Sequence, residues 1–378
     1  MTVNRLHKLQ ACGQSVWTDV ISRQMLRSGT LARYINESGI TGVTANPAIF
    51  EKAIAGSHDY DETVQEYSAR GCPPPEIYEA LAIADVGGAA DLLRPVYSRT
   101  AGKDGFVSIE VSPELASDTY GSIEEARRFW SKLNRPNVMI KVPATSAGIP
   151  AIEQLTAAGV NVNITLIFAV DVYEQVMEAY LRGLEERVQH GHPIDRIASV
   201  ASFFVSRVDT LVDKLLEEKA NDADEETRQK LQELQGEAAN ANAKIAYQRF
   251  EAMFGSERFK RLARHGAQVQ RPLWASTSTK NPQYADTLYV TPLLGPQTVN
   301  TMTLDTIDAF RDHGEVDCNA VRQGRDEAVQ VMKDLERVGV DMKAVTDQLT
   351  SEGVRKFSAS LHALLDAIDQ RRGVLVEA

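Results

Sequence analysis

The sequence predicts an α/β fold, a closed (β/α)8 barrel of the TIM type with additional C-terminal helices and a charged helical insertion. Two observations carry the prediction. Short apolar, β-branched runs recur along the 378 residues and alternate with longer segments of helical period. The runs number eight, and the Gly-rich phosphate turn of an open doubly wound sheet is missing, so strands and helices in alternation fit a closed parallel barrel. In order the runs are SVWTDVI (15–21), GVTAN (42–46), FVSIEV (106–111), VMIKVP (138–143), VNITLIF (162–168), IASVASFFV (197–205), RPLWAS (271–276) and DTLYVTP (286–292).

The helices between them are readable. SIEEARRFWSKL offers a capping box from Ser122 to Glu125, and AVDVYEQVMEAYLRGLEERV repeats apolar residues at Val172, Val176, Tyr180 and Leu184. Two regions fall outside the eight units. Residues 216–245 are highly charged and Ala-rich, which predicts a solvated helical insertion between strands six and seven. After the eighth run a short helix is expected over 303–311. Residues 320–371 then give two or three amphipathic helices with Gly339 between them, so that 316–378 pack on the barrel. No Pro/Gly/Ser linker separates these regions, and the whole chain, 1–378, reads as one domain.

Composition narrows the function. A hydrophobic fraction of 43% and a charged fraction of 25% are those of an ordinary globular protein. The net charge of −11 argues against a nucleic-acid or anionic-membrane surface, so an anionic substrate has to be held by local cations. Cys12, Cys72 and Cys318 leave one thiol over in any pairing and show no metal-ligand spacing, which suits reduced thiols in the cytoplasm. His190 and His192 flank Gly191 in a polar loop with no carboxylate or thiol at ligand spacing, so no metal is expected. The first residues, MTVNRLHKLQACGQ, hold no apolar signal core, and no window reaches the roughly 20 apolar residues of a membrane span.

The run VMIKVP holds the most informative residue. In a strand Met139, Lys141 and Pro143 share one face, and a buried unpaired ammonium costs several kcal/mol, so Lys141 has to be exposed, paired or kept for its chemistry. Active sites of such barrels lie at the C-terminal ends of the strands. There the sequence places Asp19, Asn46, Glu110, Lys141, Thr165 with Asn163, Ser202 with Arg207, and the stretch Ser276 to Lys280. Plain structural readings exist: Asp19 as a helix cap, Asn46 before Pro47 as a turn residue, Thr165 as a β-branched strand residue. Ser108 and Glu110 share a face of a buried strand, and a Glu110–Lys141 ion pair would account for both charges structurally.

Chemistry offers the alternative. Desolvation inside a barrel favours a free amine over an ammonium, and an amine attacks a ketone to form a Schiff base. The iminium then acts as electron sink for carbon–carbon cleavage, with no metal or organic cofactor. A carboxylate has to move the proton of the breaking hydroxyl, and a second acid/base has to assemble and dismantle the carbinolamine.

The stretches GVTANPAIF, FVSIEVSPELASDT, NVMIKVPATSAGIPAIEQLTAAGVNVNITLIF and SFFVSRVDT resemble the transaldolase family, from about residue 14 to the helix after strand eight. The length and the C-terminal helices are similar to its longer bacterial branch, without a fused isomerase. The resemblance implies that Lys141 is the Schiff-base lysine and Asp19 the acid/base at the C4 hydroxyl of the ketose. It makes Glu110 and Thr165 the pair that positions the catalytic water. Asn46, Asn163 and Ser202, with Ser108 beside them, would bind the dihydroxyacetone unit, and Arg207 the phosphate. It further implies transfer of a dihydroxyacetone group from sedoheptulose 7-phosphate or fructose 6-phosphate to glyceraldehyde 3-phosphate or erythrose 4-phosphate, in the pentose phosphate pathway. The implied partners are these phosphorylated ketoses and aldoses, with no nucleic acid and no membrane, and the protein would be a monomer or homodimer.

One motif departs from the family. Many members carry a second phosphate arginine after strand seven in an A-S-x-R pattern, where this chain reads Ala275, Ser276, Thr277, Ser278, Thr279, Lys280. Lys280 is the nearest cation and would act as a point charge without a bidentate fork, with Ser276, Ser278 or Thr279 adding hydroxyls. Two competing functions share the site. A Schiff-base aldolase releasing free dihydroxyacetone would also use Lys141, although Phe204 and Asp19 are transferase-like within the resemblance. A sugar-phosphate-binding regulator without turnover would require a lost catalytic position, and none is lost.

Overall fold

Eight parallel strands close on themselves in the order of the sequence in the computed structural model, which describes residues 4–377. They are β1 (Gln14–Thr18), β2 (Gly42–Thr44), β3 (Phe106–Glu110), β4 (Val138–Pro143), β5 (Val162–Ile167), β6 (Ser199–Phe204), β7 (Gln270–Ala275) and β8 (Thr298–Met302). Residues 1–3 and 378, which the single-domain expectation includes, lie outside the described residues. Every strand residue except Arg271 is buried, as expected when helices cover the outer face and side chains fill the interior. Among the described residues no helix is long and apolar enough to cross a membrane.

Hydrogen bonds between strands that are not neighbours identify the inward side chains. Thr44 on β2 meets Thr301 on β8 at 2.9 Å, and Asn163 on β5 donates to Ser108 on β3 at 3.0 Å. At the N-terminal end, Arg271 donates to Ser15 at 2.7 Å and Trp17 donates its indole N–H to Asp104 at 2.9 Å. Trp17 lies against Gly42, where a Cβ would collide with the ring, so the glycine on β2 is what admits the indole. This floor closes the barrel below the site.

The eighth strand is not where the apolar run put it. Residues 286–292 form turns leading into a 3-10 helix, Thr291–Leu293, whereas β8 is the polar run TVNTM. The reason is polar satisfaction. Thr298 accepts from Gln14 at 3.0 Å, and the Asn300 amide oxygen accepts from Thr277 at 2.9 Å, so this hydroxyl and this carbonyl are partnered inside the barrel. Tyr289 and Val290 are apolar because they bury themselves from a loop, not from a strand.

Three further expectations are corrected. The helix after β3 is Thr119–Leu133 and is capped by Asp118, whose carboxylate accepts the Gly121 N–H at 3.0 Å. Ser122 lies inside it, and Glu125 accepts from the Ser112 N–H instead of closing a capping box. The 216–245 region is not solvated throughout. Glu225–Glu233 carries its charges to water, but Ala238, Ala239, Ala241, Ala243 and Ala246 of the helix Ala238–Phe254 are buried, small residues that let it seat on the core. Finally, the sulfurs of Cys12 and Cys318 form a disulfide with Cα atoms 4.8 Å apart, leaving Cys72 as the free thiol. Sequence parity left one cysteine over correctly, but separation of 306 residues hid the pairing that the fold brings about.

The chain ends in helices Leu304–His313, Arg325–Arg337 and Met342–Glu377, with Gly339 in the left-handed region between the last two. The last helix reaches the strand ends. Its apolar face, Leu349, Phe357, Leu361, Leu364 and Ile368, is buried, and it lies against the helix Pro47–Ala55 and against β5, across the C-terminal end of the barrel.

Candidate active site

The site grows from the strand register. Glu110 pairs with Lys141 across β3 and β4, and Lys141 with Asn163 across β4 and β5, so three inward positions stand side by side at one level. Lys141 Nζ donates to Glu110 Oε2 at 2.7 Å and to the Ala45 carbonyl at 3.2 Å, and the two side chains are 5% and 3% exposed. The ring of Phe357 on the last helix covers the ammonium at 5.8 Å. The ion pair foreseen as a structural alternative therefore exists. It does not exclude chemistry, because burial pushes the Glu110 carboxyl above its ordinary value despite the pull of Lys141, and a carboxylate so placed can take the proton that a nucleophilic amine must lose.

Asp19 follows β1 directly, its own N–H bonded to the Met302 carbonyl at 3.1 Å. Its Oδ1 is buried with no hydrogen-bond partner. Burial pushes the carboxyl up, opposed by its backbone N–H and by the charges of Lys280, Lys141 and Lys52. Thr165 is likewise fully buried, and its hydroxyl has no partner. Two orphaned polar groups buried at one end of the barrel are costly unless something else binds them. The backbone is arranged to hold Thr165 there. Leu166 adopts φ 59°, and the β5–β6 register shifts between Ile164 and Ile167, an irregularity of the kind that costs about 1–3 kcal/mol and clusters at functional sites.

A chain of amides and hydroxyls runs beside the lysine: Ser202 donates to Asn163 at 2.6 Å, and Asn163 to Ser108 at 3.0 Å. Asn46 caps the helix Pro47–Ala55 by accepting the Ile49 N–H at 3.0 Å, so the plain capping role is real and leaves its amide N–H groups for a ligand. Phe204 packs on Phe168 with ring centroids 5.2 Å apart, and the Arg207 guanidinium stacks over it at 5.1 Å. Arg207 is half-buried and has no carboxylate at ion-pair distance among the described residues; desolvation lowers its affinity for the proton. Past β7, Ser276 stands at φ 55° with its hydroxyl 3.0 Å from that of Ser206. Ser278 turns to Thr303 and Thr306, at 3.2 and 3.1 Å, and Thr279 donates to the Ala285 carbonyl at 2.9 Å, so these two hydroxyls brace the loop. Lys280 is exposed.

Sequence reasoning missed Phe357 and Lys52. Phe357 was legible only as part of an apolar helix stripe, because nothing local tells which end of the barrel that helix covers. Among the described residues no three His, Cys, Asp or Glu side chains converge on a metal-sized space.

A (β/α)8 enzyme with a buried lysine, a hydrogen-bonded carboxylate and a second, unpartnered carboxylic acid is equipped for imine chemistry on a polyhydroxylated carbonyl compound. Residues 16–368 match the model of the family described as Transaldolase/Fructose-6-phosphate aldolase. Transaldolase 2 of a Nostoc species is 46% identical over 373 residues, covering 98% of both chains. Transaldolase of a Parafrankia species is 47% identical over 368 residues, covering 97% of this chain and 98% of its own. Transaldolase of Mycobacterium marinum is 46% identical over 373 residues, with 98% of both covered. The chain belongs to the transaldolase/fructose-6-phosphate aldolase family.

Proposed function

We propose that this chain is a transaldolase that moves a dihydroxyacetone unit from a phosphorylated ketose, sedoheptulose 7-phosphate or fructose 6-phosphate, to a phosphorylated aldose. The observation that carries the reading is the buried 2.7 Å contact between Lys141 Nζ and Glu110, with the unpartnered Thr165 hydroxyl and Asp19 Oδ1 at the same C-terminal end of the barrel. Glu110 takes the ammonium proton, and the amine adds to the C2 carbonyl. The carbinolamine loses its C2 oxygen as water, with Glu110 returning the proton. Asp19 then accepts the C4 hydroxyl proton as the C3–C4 bond breaks, and the electron pair passes into the iminium to give an enamine. The acceptor aldehyde adds to that enamine while Asp19 gives the proton back, and water held by Glu110 and Thr165 releases the new ketose. Asn46, Asn163, Ser202 and Ser108 bind the hydroxyls of the three-carbon unit. Arg207 holds the phosphate and Lys280 supplements it.

We also take the site of action to be the cytoplasm, the protein to work as a monomer or homodimer, and neither nucleic acid nor membrane to be a partner, in keeping with a net charge of −11.

The test is chemical. Borohydride with a donor ketose should leave a reduced three-carbon adduct on Lys141, located by peptide mass. Lys141→Arg should give neither adduct nor turnover, because guanidinium stays protonated. An adduct on another lysine would sink the mechanism. Product analysis with fructose 6-phosphate, with and without erythrose 4-phosphate, separates transfer from release of free dihydroxyacetone and from binding without turnover.

A further inference from the structure

We propose that a cavity at the rim of the barrel, beneath the C-terminal helix, is the water and proton entrance to Glu110, separate from the mouth through which the sugars pass. The inference rests on the imine reading above, which makes one water leave when the donor binds covalently and one enter when the product is released. Both events occur while a sugar phosphate fills the pocket on the Asp19 and Arg207 side.

The cavity measures about 950 Å³ and opens to the surface, room enough for several waters. Its walls come from four places in the chain: Pro47 after β2, Tyr78 on the helix Pro74–Arg99, Phe129 on the helix after β3, and Leu361 with His362 on the last helix. Glu110 is also in the wall, whereas Lys141, Asp19, Asn163, Thr165 and Ser202 are not. The cavity therefore reaches Glu110 without being lined by the groups assigned to the sugar. Its lining runs from exposed His362 and Lys132 to deeply buried Glu110.

The chemistry of the inner end fits the same role. Glu110 commits Oε2 to Lys141, while Oε1 takes no hydrogen bond among the described residues. That second oxygen is the one available to a water arriving from the cavity. Tyr78 is held by its edge-on contact with Phe50, ring centroids 5.8 Å apart. Burial and the charge of Glu110 push its phenol well above the ordinary tyrosine value, so it stays a neutral hydroxyl able to donate to or accept from water. The mouth, by contrast, is covered by Phe357 directly over Lys141. A route that bypasses this cover lets the oxygen released at C2 leave, and a new one arrive, without opening the helix.

The experiment follows the oxygen. Fructose 6-phosphate labelled with 18O at C2 and excess erythrose 4-phosphate are mixed with the enzyme for a single turnover, and the C2 oxygen of the ketose product is read by mass spectrometry. Free exchange through the cavity means that wild-type product carries solvent oxygen. Ala80→Trp and His362→Trp fill the cavity from two different walls and touch no sugar-binding group. Either should raise label retention several-fold above the wild-type level while still forming the borohydride adduct on Lys141. Retention of the label by wild-type enzyme would overturn the proposal, since Glu110's water would then be sealed in. So would adduct-forming plugged variants that lose label as fully as wild type, which would route water through the mouth. Absence of the Lys141 adduct in wild type is a different failure, that of the imine reading itself.

Discussion

Asp19 and Glu110 are both acids pushed upward by burial, yet they stand in different company. Glu110 is hydrogen-bonded to the ammonium, while Asp19 feels Lys141, Lys280 and Lys52 only through space and keeps Oδ1 unpartnered. The division suits two tasks, proton exchange at nitrogen and at the C4 hydroxyl. Asp19→Asn should therefore lower kcat by roughly 10²–10⁴ while borohydride trapping of preformed imine survives. Loss of both trapping and folding would make Asp19 a structural residue. The cations divide as well. Arg207 is half-buried with a planar fork and Lys280 is an exposed point charge, so Arg207→Ala should raise KM for phosphorylated donors by about 10- to 100-fold, the worth of a charge-assisted hydrogen bond, and leave dihydroxyacetone nearly unaffected. Lys280→Ala should do the same more weakly. Equal losses on both kinds of substrate would put the phosphate elsewhere.

Among the elements, what was legible in the sequence was whatever depends on local period. Strands β1 to β7 announced themselves because parallel strands are apolar on both faces, and Lys141 and Glu110 stood out as charges inside such runs. β8 did not, because its Thr298 hydroxyl is partnered by Gln14 and its Asn300 amide oxygen by Thr277, contacts no local pattern reveals. The insertion was half legible for the same reason: its buried alanines read as solvated helix. That insertion is also tied to the helix after β6 by a carboxyl group. Asp209, on the helix after β6, is 1% exposed and accepts the Ala239 N–H at 2.7 Å. Burial, with the nearby charge of Asp213, pushes it up to about 7 from an ordinary 3.8. The folded state thus keeps a proton that the unfolded chain gives up near pH 4. This group's contribution to stability is full below about pH 4, falls as pH rises, and is lost by about pH 7. Asp209→Asn keeps an acceptor for Ala239 and removes the charge, so its stability relative to wild type should improve between pH 5 and pH 8 by the order of a few kcal/mol. Urea midpoints at the two pH values would decide it, and a wild-type-to-variant difference that does not move with pH would rule the account out.

At the scale of the whole molecule, chemistry and closure occupy opposite ends of the barrel. The groups proposed to react stand at the C-terminal ends of β1, β3, β4 and β5, while Cys12 lies just before β1 and is joined to Cys318 after the Leu304–His313 helix. Around them Leu6, Leu9, Val290, Leu294 and Phe310 make a small core distinct from the main one. The cross-link therefore fastens the first helix to the segment after β8, closing the ring of strands at its seam, where β1 pairs with β8 from Gln14–Thr298 to Thr18–Met302. Because it spans 306 residues, it removes much of the freedom of the unfolded chain, and disulfides typically stabilise by about 2–4 kcal/mol. Cys318→Ser, or dithiothreitol on wild type, should lower Tm by several degrees and leave kcat and KM for transfer unchanged. The reductant should have no further effect on the variant, since Cys72 is the remaining free thiol. A Tm that ignores both treatments would mean that the seam is held by the Leu6–Phe310 core alone, and a fall in kcat would mean that strain at the seam reaches Lys141 through the strands.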